Sequence, residues 1–202
     1  NLILHALNSL LVLLALRTWI SGRTAWIAAA LFAVHPLQVE PVAYIFARST
    51  LLAATFCLAA LCMWGRGRRW WSVALFALGM LAKEECAAFP LMLGLLHWAG
   101  KRDPAERRPI AAMLAIALVA GLRVLYATSV VKGAGAGFAT GNSPLTYLTA
   151  QGISIWRYLR LLIVPASLTP DAQIDVTPVL AAVAWISLAA VIGVAIWKVR
   201  AF

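Results

Sequence analysis

The stretch HPLQVEPVAYIFARS (35–49) holds the residue types best suited to chemistry. A His-Pro pair closes one apolar run, Glu40-Pro41 opens the next, and Arg48 follows within it. Proline is tolerated in a first helical turn, because the N–H it lacks would have no partner there. The spacing therefore predicts a helix over 41–64, with Arg48 roughly 10 Å below Pro41 at a rise of about 1.5 Å per residue. An unpaired arginine inside a membrane costs at least about 2.5 kcal/mol, so it must meet water, an anion or a carboxylate. Two readings follow. Arg48 is a cation facing an outer cavity that receives a phosphate, with His35 and Glu40 beside it, or it is half of an ion pair with Glu40 or Glu84 that fixes packing.

A second polar break, LAKEECAAFP (81–90), places Lys83, Glu84 and Glu85 between two short apolar segments. Lysine is a compact charge suited to phosphate, and Glu84 could orient it or bind a divalent cation, so a metal requirement stays open. The bland alternative is a charged turn. Arg123, in the middle of an apolar run over 109–131, must face protein or a cavity and joins the phosphate-binding candidates. Asp171 and Asp175 lie in a proline-rich stretch whose four-residue spacing is no ligand motif, so a solvated loop is expected. The run GAGAGFATG (133–141) lacks the lysine and the strand-to-helix setting of a phosphate loop. His5 and Asn8 share a helix face and are expected to hydrogen-bond within the bundle. A haem held by His5 and His35 is a much weaker reading. Cys57, Cys62 and Cys86 have neither metal nor redox spacing and are expected to pack as small apolar groups.

These residues need elements to hold them, and composition says which. Of 202 residues 63% are hydrophobic and only 12% charged, with mean hydropathy +0.89. A soluble domain averages about 25% charged residues. Half that charge cannot solvate a globular surface. A soluble enzyme, a disordered chain and a nucleic-acid-binding domain are thereby excluded, and the chain is expected to be an all-α, polytopic transmembrane bundle. Apolar runs predict about seven or eight membrane segments: 2–19, 24–35, 41–64, 70–83, 86–99, 109–131, 145–163 and 178–199. No repeat or soluble linker divides them, so 1–202 is expected to be a single transmembrane domain. The first residue is Asn, and the first apolar run begins at once with no leader-like start, so the chain is expected to be a fragment of something longer.

Basic residues set the expected orientation. Arg17, Arg23, Arg66, Arg68, Arg69, Lys101, Arg102, Arg107, Arg108, Lys198 and Arg200 fall at alternate turns and belong in the cytoplasm. Glu40, Glu84, Glu85, Asp171 and Asp175, five of the seven carboxylates, fall on the other side. The net charge of +10 is thus a matter of membrane topology. The segment 145–163 breaks the alternation if it crosses. Its Thr146, Thr149, Ser154, Arg157 and Arg160 favour a helix lying in the outer interface.

The blocks NLILHALNSLLVLLAL, AALFAVHPLQVEPVAYIFARSTLLAATFCLAAL, LGMLAKEECAAFPLML and RYLRLLIVPASLTPD resemble, in this order, the membrane region of the transmembrane and tetratricopeptide-repeat protein O-mannosyltransferases and their bacterial relatives. The block with His35, Pro36, Glu40 and Arg48 is the most specific. The resemblance implies a C-type glycosyltransferase fold, a polyprenyl-phosphate-linked sugar donor, and transfer outside the cytoplasm. It also implies a bacterial cytoplasmic membrane with the active face toward the exterior. By position Arg48 and Lys83 match the cations that hold the lipid phosphate, while His35, Glu40 and Glu84 match polar positions lining the pocket. The family's first helix, its acidic first loop and its repeats have no counterpart within these residues.

The expected function is a glycosyltransferase core, with Glu40 and His35 catalytic and Arg48, Lys83, Glu84 and Arg123 binding substrate. The alternative is a non-catalytic accessory subunit of a larger membrane complex derived from that fold. The expected partners are the lipid-linked sugar, membrane lipids and other membrane subunits, with no nucleic acid.

Overall fold

The structure, a computed structural model, describes residues 1–100, 103–130, 144–166 and 176–201. Lys101, Arg102, the glycine-rich run 133–141, Asp171 and Asp175 lie outside the described residues. Among the described residues all regular structure is helical: α1 (Leu2–Leu16), α2 (Gly22–Val34), α3 (Val39–Ala43), α4 (Arg48–Gly65), α5 (Arg69–Ala82), α6 (Phe89–Ala99), α7 (Pro104–Val130), α8 (Pro144–Ile163) and α9 (Pro178–Ala201). Single 3₁₀ turns at Pro36–Gln38, Ile45–Ala47 and Glu84–Ala88 join the shorter helices. Two compact units divide the chain, Asn1–Leu125 and Tyr126–Phe202.

Three helical stretches are long and apolar enough to cross a membrane: Ile45–Gly65, Pro104–Ala127 and Pro178–Lys198. A fourth results if α2 and the segment Pro36–Ala43, bent by 50°, form one broken span. Outward-facing Leu118, Leu122 and Leu125 on α7 and Val183 and Ile186 on α9 are exposed side chains that hydrocarbon would cover. The chain is an integral membrane protein whose regular structure is all helical among the described residues.

The first unit is built around an antiparallel pair, α4 and α5, turned by Arg66-Gly67-Arg68. Gly67 has φ +73°, a left-handed backbone that side chains with a Cβ adopt at a cost. Phe76 and Leu93, both fully buried, anchor the core with Ala53, Ala60 and Trp64 of α4, Phe89 of α6, and Ile110 and Met113 of α7. The rings of Phe76 and Phe89 stack at 5.9 Å. Lipid tails are as apolar as leucine, so close contact rather than escape from water holds such helices together. Small residues permit that contact. A Cβ on Gly79 would stand 3.2 Å from Cys86 Sγ and 3.4 Å from Phe56 Cβ. Cys62 and Cys86 are buried and Cys57 half-buried, all three as free thiols, which accords with their reading as packing residues.

Polar side chains lock α1 in place. The Asn8 amide donates to Leu51 O at 3.0 Å, Thr55 Oγ1 donates to Asn8 Oδ1 at 2.7 Å, and His5 Nε2 donates to Ala33 O at 2.9 Å. His5 and Asn8 therefore do hydrogen-bond within the bundle. Ala25 and Ala29 of α2 pack against Leu13 of α1.

The expected continuous helix over 41–64 is corrected. Tyr44 is extended (φ −85°, ψ 118°), a 3₁₀ turn follows, and α4 begins at Arg48. Such a break leaves backbone carbonyls without helical partners, and in a membrane they must find others. The Ala47 N–H donates to Tyr44 O at 3.1 Å, and the Asn1 amide adds bonds to Tyr44 O at 2.9 Å and Pro41 O at 3.4 Å.

The second unit pairs α8 with α9 through reciprocal indole bonds. Trp156 Nε1 donates to Ala184 O and Trp185 Nε1 to Leu148 O, each at 3.1 Å. Helix α8 has the length of a span but not the apolar character, and it is absent from the candidate crossings.

Candidate functional site

The first unit has two unlike ends. One carries both polar breaks, where the amino ends of α1 and α4, the carboxyl end of α5 and the short α3 meet. Geometry explains why Lys83 reaches α4 there. From the turn at Gly67, α4 runs 18 residues and α5 only 14, about 27 Å against about 21 Å at 1.5 Å per residue. The carboxyl end of α5 therefore stops beside the first turn of α4, and Lys83 Nζ donates to Thr50 Oγ1 at 2.9 Å. The break at 83–88 is thus joined to the break at 35–47, two residues from Arg48.

Lys83 also pairs with Glu85 at 2.8 Å. This corrects the expectation that Glu84 orients it: a 3₁₀ turn beginning at Glu84 carries the next side chain back to the lysine. Glu84 is exposed, as are Glu40 and Arg48, and none of the three side chains makes a hydrogen bond or ion pair among the described residues. The alternative pairing of Arg48 with Glu40 or Glu84 is accordingly absent. Arg48 is also not two turns into a helix, since the break at Tyr44 makes it the first residue of α4.

His35 is half-buried, and its Nδ1 accepts the Leu37 N–H at 3.2 Å, capping the turn Pro36–Gln38. An Nδ1 that accepts leaves the ring hydrogen on Nε2. Glu40 stands in the first turn of α3. Arg123 is not brought to this end by any described contact. It is exposed on α7, which packs through Ile110 and Met113, about three to four turns earlier in sequence. No group of three or more His, Cys, Asp or Glu that could hold a metal occurs among the described residues.

The opposite end gathers a cluster that sequence reasoning overlooked. Arg69 bonds to Asp103 and, at 3.4 Å, to Glu106; His97 Nδ1 donates to Glu106 Oε2 at 2.8 Å. A cavity of about 140 Å³ opens beside it. The available signal was a pair of carboxylates at 103 and 106 lying in an otherwise basic stretch, a few residues after His97.

No protein-family model matches the chain, and no solved structure does. Curated relatives do. The chain is 28% identical over 207 aligned positions to the protein O-mannosyl-transferase Tmtc2 of Drosophila melanogaster, covering 88% of this chain and 21% of that protein. It is 42% identical over 60 positions to the mouse protein O-mannosyl-transferase TMTC3, covering 30% of this chain and 6% of the relative. With the human TMTC3 it is 33% identical over 95 positions, 42% of this chain and 10% of the relative. The chain thus spans about a fifth of the length of the fly protein it matches.

Proposed function

We propose that this region is the membrane core of a glycosyltransferase that takes a sugar from a polyprenyl-phosphate donor at the end of the bundle holding Arg48 and Lys83. The observation that carries the reading is the Lys83–Thr50 bond, which sets one cation beside the first turn of α4 while the Arg48 guanidinium stays exposed and unpaired among the described residues. The resemblance to proteins named as O-mannosyl-transferases supports the same class of reaction.

The chemistry suits these residues. Breaking a sugar–phosphate bond leaves negative charge on the departing phosphate, and fixed cations in a site shielded from water lower the cost of that charge. The positive end of the α4 dipole adds to the field of Arg48 and Lys83. The acceptor hydroxyl oxygen bonds to the sugar carbon, the bond from that carbon to phosphate oxygen breaks, and polyprenyl phosphate leaves. The hydroxyl proton passes to a carboxylate, for which Glu40 is exposed and unengaged among the described residues, with Glu84 the second candidate. His35, its Nδ1 engaged, holds the turn that presents Glu40. Seven or eight membrane segments, an active face toward the exterior, a bacterial cytoplasmic membrane and a protein Ser or Thr acceptor belong to the same proposal.

The test uses the complete gene product in membranes with a polyprenyl-phosphate-linked sugar. Arg48→Ala is expected to lower transfer at least a hundredfold while insertion and thermal stability are kept, and Arg48→Lys to retain part of the activity. Wild-type transfer by Arg48→Ala would remove the reading.

A further inference from the structure

The end of the first unit away from Arg48 carries a cavity that the proposed transfer does not use. Trp19, Trp64, Leu96, His97, Asp103 and Glu106 line it, and its volume of about 140 Å³ is several times the about 30 Å³ that one water occupies in the liquid. Its chemistry has a sign. Asp103 and Glu106 bring two carboxylates to its lining, and Arg69, which pairs with both, is not part of that lining.

The hydrogen-bonding pattern points the same way. Asp103 Oδ1 accepts the Ala105 N–H at 2.9 Å and its other oxygen accepts from Arg69, while the Glu106 oxygens accept from Arg69 and His97. Each carboxylate oxygen keeps a second lone pair. The wall thus presents two indoles, which attract a cation of any kind, and surplus carboxylate acceptors, which suit one with several N–H groups.

Position identifies the source of that cation. Trp64 ends the span Ile45–Gly65, and Asp103 and Glu106 flank the start of the span Pro104–Ala127. Around them stand exposed Trp19, Trp26, Trp70 and Trp71 with exposed Arg17, Arg23, Arg66, Arg68, Arg107 and Arg108. Tryptophan and arginine gathered at the ends of spans mark the headgroup layer of a bilayer. A group with a primary ammonium next to a phosphate meets both features at once, the amine in the acidic cavity and the phosphate on the arginine rim.

We propose that the cavity bounded by Trp19, Trp64, His97, Asp103 and Glu106 binds the ammonium of an ethanolamine phospholipid headgroup. A choline headgroup offers no N–H to the acceptors, and a glycerol headgroup offers no cation, so both bind less well.

Delipidated full chain in detergent, with dioleoyl phosphatidylethanolamine, phosphatidylcholine, phosphatidylglycerol or free ethanolamine added in turn, tests this by native mass spectrometry and thermal unfolding. The ethanolamine lipid is expected to be retained about tenfold better than the other two. Trp19→Ala and Asp103→Asn should each abolish that preference without changing retention of phosphatidylglycerol on the arginine rim. Trp19 is half-exposed, so its variant decides the matter even if Asp103→Asn fails to fold. Equal retention of the three lipids, or a preference kept in Trp19→Ala, would overturn the proposal. Equal stabilisation by free ethanolamine would overturn the lipid as the source.

Discussion

Asn8 shows what a single polar side chain does inside an apolar bundle. It is 1% exposed, and both ends of its amide are used, one on Leu51 O and the other on the Thr55 hydroxyl. Such bonds in membrane proteins average about 0.6 kcal/mol and reach about 1.7 kcal/mol, because the separated helices find other partners. Replacing Asn8 by Ala also opens a small void between α1 and α4. Asn8→Ala is expected to destabilise the protein by about 1–2 kcal/mol, read as a lower unfolding midpoint in detergent. Thr55→Ala leaves the bond from the Asn8 amide to Leu51 O in place, so it should cost less than Asn8→Ala, which removes both long-range bonds. The reverse order would mean that the Asn8 bonds do not hold α1. Lys83 makes the opposite point. Its contact with Glu85, 66% exposed, is worth at most about 1 kcal/mol at a wet surface, so what matters at Lys83 is where its charge stands.

Helix α8 shows an element held by one close approach. A Cβ on Gly152 would come within 2.9 Å of Cδ1 and Nε1 of Trp185, the indole that donates to Leu148 O. Alanine is a better helix former than glycine by about 0.8–1.0 kcal/mol, while forcing a methyl into a filled contact costs about 1–3 kcal/mol. The clash outweighs the propensity. Gly152→Ala is expected to lower the unfolding temperature, whereas Gly193→Ala in α9, with nothing within 4 Å, should leave it unchanged or raise it. Equal behaviour of the two variants would show that Trp185 does not lie over Gly152. This pairing also marks the limit of what periodicity reveals. Helix positions were legible, since unbroken apolar runs over 70–83 and 86–99 reappear as α5 and α6. The break at Tyr44 was not, because no proline or glycine stands there and its carbonyl also accepts from Asn1, 43 positions away. Long-range partners of that kind, like Lys83 with Thr50, are set by helix lengths and packing. Residue type marked Lys83, Arg48 and Glu40 as chemically capable, but only the geometry shows Lys83 bonding to Thr50 of α4 while the Arg48 and Glu40 side chains stay exposed.

At the scale of the molecule, the first unit is polarised end to end, and polarity of this kind fixes how it sits in a bilayer. Arg66, Arg68, Arg107 and Arg108 are exposed at the end where α4 finishes and α7 starts, and Glu40 and Glu84 are exposed at the other. Lysine and arginine near span ends are retained on the cytoplasmic side, whereas carboxylates have little influence. The arginine end should therefore be cytoplasmic, and the end with Arg48 and Lys83 should open outward, where a flipped lipid-linked sugar would be available. Single-cysteine labelling reads this directly. Cys57, Cys62 and Cys86 are buried or half-buried in the packed interior, so the wild-type chain supplies the blank. In intact cells a membrane-impermeant maleimide is expected to label Glu84→Cys, and to reach Arg68→Cys only after the membrane is opened. Both positions are exposed, so accessibility within the protein does not bias the comparison. Labelling in the opposite order would place the Arg48 end in the cytoplasm. A donor presented from outside could then not reach it, and the proposed direction of transfer would fall while the helical packing stood.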